Sequence, residues 1–157
     1  MRKRIIDSDL KQDVDSDRKW LDIAKLAMVE VTSEDDAFPI ESALLPGEAS
    51  GWRASGPGKQ MIRLLFDNPQ RLQWIRLNFE ELESGRTQEF VLRWSPDGGQ
   101  SYREIIRQQW NFSPEGTTGE IENYQVELPA VTILELSINP DISGRHAFAS
   151  VKELRLA

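Results

Sequence analysis

The chain of 157 residues contains no cysteine, one histidine and no long apolar run. Without cysteine there is no disulfide, thiolate nucleophile, Cys-ligated zinc or iron–sulfur cluster. With His146 alone there is no two-histidine metal site and little general-base chemistry. No segment approaches the roughly 20 apolar residues that a bilayer-spanning helix needs. The basic start, Met1-Arg2-Lys3-Arg4, is followed by only Ile5 and Ile6 before Asp7, so it lacks the apolar region of a secretory signal. Read from Met1, the chain is expected to be intracellular, in the cytoplasm. Positive charge is short as well: 19 Lys+Arg against 26 Asp+Glu leave a net −7. That balance argues against a general binder of phosphate backbones or of anionic membranes. No nucleic acid, membrane or cofactor is expected as a partner.

The content that remains, 39% hydrophobic and 29% charged residues, suits one packed core. Residues 1–19 alternate charge and carry few apolar groups, which reads as a mobile arm. The division expected is an arm and lead-in over 1–24, with a possible helical turn at Asp22–Leu26, and one domain over 25–157. The domain shows period-2 runs separated by turn residues, the pattern of antiparallel strands. Met28–Thr32 is the first. Gln60–Phe66 and Arg71–Phe79 follow, joined by an Asp67-Asn68-Pro69 turn, and Thr87–Ser95 aligns Phe90, Leu92 and Trp94 on one face. After the Ser95-Pro96-Asp97-Gly98-Gly99 turn comes Tyr102–Trp110, where the pair Ile105-Ile106 suggests a bulge or burial on both faces. Ile121–Leu128, Val131–Asn139 and Val151–Leu156 complete the series, and Pro39–Leu44 is the other helical candidate. The fold class is all-β: an antiparallel β-sandwich (jelly roll) of about eight or nine strands, with a short helical turn near the N-terminus.

Three blocks, Met28–Glu34, Pro39–Leu44 and Gly51-Trp52-Arg53-Ala54, occur in order before Gly58–Leu64, the Ser95–Gly99 turn and the closing Ala149–Leu156. In this order and spacing, residues 27–157 resemble the discoidin, or coagulation factor 5/8 type C, group of the galactose-binding-like jelly rolls. The resemblance implies a non-catalytic binding module, most often for carbohydrate, with lipid headgroups or proteins bound by other members. Many carbohydrate-binding members hold a structural calcium with an Asp after an early Ala-Leu, a nearby Thr or Ser, and a Glu on the last strand. Glu153 matches the last, but the Asp position is Leu45 and the Thr position falls near Ser50 or Gly51. A hard cation wants six to eight oxygen ligands, and the strongest carboxylate of that set is missing, so no metal is expected.

Other motifs fall to simpler accounts. Asp13, Asp15 and Asp17 have EF-hand spacing, but Arg18 replaces the glycine and Ala24 the closing Glu. Gly56-Pro57-Gly58-Lys59-Gln60 breaks the P-loop pattern. Asp35-Asp36 and Glu80-Glu81-Glu83 are sequence neighbours, whereas glycosidases need two carboxyls across a cleft. No Ser sits in a nucleophile elbow to partner His146. The chain is not expected to be an enzyme.

Successive strands of an antiparallel sandwich run in opposite directions, so alternate loops share an end. Counting back from Leu156 groups the long loops 140–148, 111–119, 80–86 and 45–58 at the end opposite the termini, with the tight turns at the other. The long-loop end carries the candidate ligand-binding residues Trp52, Arg53, Arg86, Asn111, Phe112, Arg145 and His146. Aromatic faces beside Arg, Asn and His donors suit a neutral or acidic sugar. The competing account has Trp52 and Phe112 plugging the end of the sandwich, and Arg53 or Arg86 pairing with Glu80, Glu81 or Glu83. Carbohydrate is the first ligand class, and an intracellular protein–protein interaction module using the same rim is the alternative.

Overall fold

Two strands of 21 residues, β3 (Gln60–Glu80) and β6 (Gly119–Asn139), pair antiparallel from end to end. The computed structural model describes residues 19–47, 50–80, 85–113, 116 and 119–157; the arm expected over residues 1–19 lies almost wholly outside them. The pairing runs from Gln60↔Ile138 to Glu80↔Gly119, with register shifts between Leu65 and Trp74. The polar stretch Asp67–Pro69 is therefore a corner in a continuous strand, where the sequence suggested a turn between two strands. Inward residues fall at even positions through Leu72 and at odd ones from Ile75, so the side-chain phase slips within the corner. The slip is a bulge, because Gln73 and Trp74 both donate their N–H to the carbonyl of Ala157, at 2.7 and 2.9 Å. Leu128-Pro129 forms the matching corner of β6, and Leu72, Leu128 and Val131 are buried there.

The bent ribbon divides the strands into two layers. Before the corner, β3 pairs with β1 (Ala27–Val31) and with the second half of β6, which carries β4 (Arg86–Ser95) and then β5 (Arg103–Phe112): five strands. Beyond it, β3 lies between the first half of β6 and β8 (Glu153–Leu156): three strands. A short pair, β2 (Trp52–Arg53) with β7 (Ser150–Val151), closes one edge. One-turn helices occupy Ile23–Leu26 and Glu41–Leu44. The layers meet face to face, with Phe79 and Phe90 ring centroids 5.0 Å apart. Their inner alternations (Ile62, Leu64, Ile75, Leu77, Leu92, Leu134, Leu136) merge into one core, which Ile23 of the lead-in joins. Trp94 is in that core as its phase with Phe90 and Leu92 required, while Trp74 is half-buried. The bulge in β5 falls at Ile105: Leu92 pairs with Ile106 and Arg93 with Glu104. Among the described residues no helix is long and apolar enough to cross a membrane.

The outer face of the five-stranded layer holds a charged row in which Arg63, Glu135 and Arg93 are cross-strand partners. Glu135 has no exposed surface, yet it faces away from the core. Arg63 donates to its Oε2 (Nη2 at 3.0 Å) and Arg93 to its Oε1 (Nε at 3.0 Å), so both carboxylate oxygens are neutralised and covered. The Arg93 guanidinium also lies 4.4 Å from the Tyr102 ring centroid.

The turn after β4 is held by one carboxylate. Asp97 accepts the Ser101 hydroxyl at 2.6 Å, the Ser101 N–H at 2.8 Å and the Ser95 hydroxyl at 2.7 Å. The hydrogen bonds from Ser101, first its hydroxyl, hold the Asp97 pKa at about 2, below the ordinary 3.8. A carboxylate depressed on folding stabilises fully above its unfolded pKa and loses that contribution as pH falls through the folded value. Asp97→Asn should therefore lower stability at neutral pH and flatten the loss between about pH 4 and pH 2. Urea unfolding of both proteins across that range checks this; parallel pH profiles would refute it.

Candidate functional site

The pairings fix which loops share an end. The corners, the 95–101 turn and Ala157 lie at one end of the strands, whereas Glu80↔Gly119, Gln60↔Ile138, Arg86↔Phe112 and Asn78↔Glu153 mark the other. Loops 45–58, 80–86, 111–119 and 140–148 thus share the end away from the C-terminus, as strand alternation led one to expect. Glu81 and Glu83, weighed as partners for arginines there, lie outside the described residues.

Three of the candidate residues are interior. Gly51, at φ 76°, passes so close to β7 that a Cβ would sit 2.7 Å from the Val151 carbonyl oxygen, and only glycine fits. The next residue is turned inward: Trp52 is 1% exposed and its indole N–H donates to the Ser33 carbonyl at 3.0 Å. Phe112, 3% exposed, lies beneath the Arg86 guanidinium, 5.3 Å from its ring centroid. Arg86 is itself 4% exposed and donates to the Pro140 carbonyl at 2.7 Å and to Gln88 Oε1 at 3.1 Å, tying loop 140–148 to β4. These three side chains build the end of the sandwich, and Trp52 has no face left for a ligand to stack on.

The other four are accessible, but they are not all together. Arg53 alternates with Trp52 and points outward, its guanidinium 5.4 Å from the Phe148 ring centroid. His146 stands on the same ring, with centroids 5.5 Å apart and a 47° tilt. Arg53, Phe148 and His146 therefore form one cluster of an apolar ring flanked by donors. Phe148 is not among the residues the sequence singles out; its place two residues after His146 on the same loop is the signal that points to it. Arg145 pairs with the buried carboxylate of Asp141 at 3.0 Å. The Ser143 N–H, with Arg145 and Arg86 nearby, holds Asp141 below the usual carboxylate pKa despite burial. Asn111 sits on β5, at the far edge of the sheet from β1, and accepts the Thr87 hydroxyl at 2.6 Å.

The early loop after Leu44 is where the family resemblance would set a calcium. There Arg155, 7% exposed, donates to the carbonyls of Ala43 and Leu45, both at 2.9 Å, and lies 3.8 Å from Glu153. Glu153 also meets Arg76 at 3.2 Å. A fixed guanidinium already supplies the positive charge that these carbonyl oxygens attract, and it would repel a second cation.

No protein-family model matches the sequence, and no curated protein does. Solved structures do match by shape. The third family 32 carbohydrate-binding module from a family 31 glycoside hydrolase of Clostridium perfringens aligns with a TM-score of 0.64 at 19% identity, over 87% of this chain and 93% of that one. The fold is a galactose-binding-like jelly roll. The family 32 module of C. perfringens NanJ, solved with galactose, gives 0.63 at 15% identity, over 87% and 96% of the two chains. The family 32 module of AlyQ, solved with 4,5-unsaturated mannuronic acid, gives 0.63 at 16%, over 89% and 98%. At such identities the likeness is one of fold.

Trp52→Ala should cost about 3–5 kcal/mol of folding free energy, the usual range for a buried Trp. Arg53→Ala should cost under about 1 kcal/mol, as expected of an outward side chain. Equal losses in chemical denaturation would contradict the burial just described. With Arg155 held by the Ala43 and Leu45 carbonyls, EDTA should leave Tm unchanged, because no bound ion adds linkage stabilisation, while Arg155→Met should lower Tm by orphaning two carbonyls. A drop in Tm with EDTA that calcium reverses would show that this loop accepts a metal.

Proposed function

We propose that this chain is a non-catalytic carbohydrate-binding module that holds its ligand on the loop rim opposite the C-terminus. The observation that carries the reading is the Arg53–Phe148–His146 cluster: an apolar ring beside a guanidinium and an imidazole, outward-facing at the long-loop end. A sugar presents a C–H face and a ring of hydroxyls, and such a cluster meets both at once. Asn111 and Arg145 extend the donors along the rim, while Trp52, Arg86 and Phe112 act as its support. Neighbours of the same fold solved with galactose and with an unsaturated mannuronic acid favour this ligand class. The segments Met28–Glu34, Gly51–Ala54 and Ala149–Leu156 favour a place near the discoidin, or factor 5/8 type C, group within that fold. The carbohydrate-binding modules of the same fold favour a binder over an enzyme.

A protein partner, in the cytoplasm, is the second reading; Ile142, 44% exposed on the rim loop that carries Arg145 and His146, is the apolar contact it would use.

A glycan array followed by titration calorimetry tests the first reading. For any glycan bound, Arg53→Ala and Phe148→Ala should each weaken binding by roughly 1–3 kcal/mol, as expected for a charge-assisted donor and a contact residue. An array with no hits beside a specific partner captured through Ile142 would favour the second reading. Glycan binding untouched by either variant would move the site off the rim.

A further inference from the structure

The outer face of the five-stranded layer carries a cavity of about 430 Å³ whose lining includes Lys59, Gln60, Met61, Val91, Arg107 and Asn139. That volume falls within the roughly 300–1,000 Å³ of small-ligand sites. Strand register explains why the cavity exists. Met61, Ser137, Val91 and Arg107 form one cross-strand row, short at Ser137 and Val91. On one side runs the row Arg63–Glu135–Arg93, and on the other Asn139–Glu89–Gln109. Long charged side chains thus wall a low apolar floor.

The polar groups around this floor are unevenly committed. Glu89 accepts Arg107 on one oxygen at 2.9 Å and Gln109 on the other at 3.0 Å. Both oxygens of Glu135 are held by arginines. Gln60 Oε1 accepts the hydroxyls of Thr32 at 2.6 Å and Ser33 at 2.8 Å, which fixes the amide and leaves its NH₂ group as a donor. Lys59 is exposed and makes no ion pair among the described residues. The carboxylate acceptors are spent, and what stays free among the described residues is one ammonium, one oriented amide donor and the Asn139 amide.

We propose that this cavity is a second binding site, separate from the rim cluster, that takes one carboxylate-bearing sugar residue. The carboxylate pairs with Lys59, ring hydroxyls meet the amides of Gln60 and Asn139, and a C–H face lies on Met61 and Val91. Among the described residues Lys59 is the one unpaired cation of the lining, which matches a monoanion; phosphate and sulfate groups are better served by free arginines, and Arg93 and Arg107 are already engaged. That the anion belongs to a saccharide rests on the reading above, whereas the donor-lined edge does not.

The test uses the full chain and three probes: a galacturonic acid trisaccharide, the neutral galactose trisaccharide and a short oligoglutamate peptide. Amide NMR during titration should show the side-chain NH₂ signals of Gln60 and Asn139 moving with the uronate sugar alone. Lys59→Gln, at an exposed position, should keep Tm and weaken uronate binding by about tenfold, some 1.4 kcal/mol. Added salt should weaken the same interaction, and the Arg53→Ala and Phe148→Ala variants should leave the Gln60 and Asn139 shifts in place. The inference is overturned if the uronate sugar does not bind, if Lys59→Gln leaves its affinity unchanged, or if its shifts fall only on Arg53, His146 and Phe148. That last result would leave the rim reading intact. Equal binding of oligoglutamate would overturn the saccharide assignment, and the rim reading would then be judged on the neutral sugar.

Discussion

The whole arrangement hangs on one long antiparallel ribbon, β3 with β6, that turns a corner without breaking its pairing. A strand has one inward face, so a ribbon passing from one layer to the next must change side-chain phase to keep apolar groups inside. The chain does so with the bulge at Gln73-Trp74, whose paired N–H groups share the carbonyl of the C-terminal residue. The last strand therefore does more than fill an edge. Ala157, directly after it, caps the bulge that allows Leu64 and Leu77 to face the same core from opposite layers. Both ends of the described chain meet here, since the Leu21 N–H donates to the Leu156 carbonyl.

A second constraint acts on the outer face. Placing Glu135 without exposure on a surface that faces water is costly unless the charge is met twice, and the adjacent strands supply an arginine each. The positions are register partners, so the triad exists only if β3, β6 and β4 align as they do; a slip of one residue would set a carboxylate against Ile62 or Leu64 on the inner side. Its effect is as much on register as on stability. It also fixes the height of the wall beside Ser137 and Val91, so packing chosen for pairing leaves a shaped depression.

Much of the architecture was legible because alternation is a strong signal where one face is buried. Phe90, Leu92 and Trp94 declare their face, whereas Ile105-Ile106 leaves a bulge or burial on both faces open, and the register shift between Leu92 and Arg93 decides for the bulge. The corner at Asp67–Pro69 was misjudged because polar residues and Pro mark a change of direction without saying whether pairing continues. The site was less legible. Trp52 and Arg53 are neighbours with opposite fates, and their phase was set by the two-residue pair β2–β7, too short to leave a periodic trace. Arg86 looked like a ligand donor, yet its partners are a carbonyl in another loop and an amide two residues on. Long-range backbone acceptors leave no trace in sequence, and Arg155 with the carbonyls of Ala43 and Leu45 is the same case.

The two candidate surfaces differ in what holds them, and that difference bears on selectivity. Arg53, Phe148 and His146 sit at a short strand and on a loop, where side chains adapt. The cavity residues Met61, Val91, Arg107 and Asn139 belong to paired strands, and the Gln60 amide is fixed by two hydroxyls, so donor positions there are preset. A preset donor array discriminates better than an adaptable one, because a ligand that lacks the matching acceptor leaves polar groups unsatisfied. A net charge of −7 sharpens this, since the chain as a whole repels anions and only a local, well-placed cation can retain one. Adaptable side chains at the rim cluster and preset donors on the sheet face are thus separate features of one scaffold, both set by which way each strand turns its side chains.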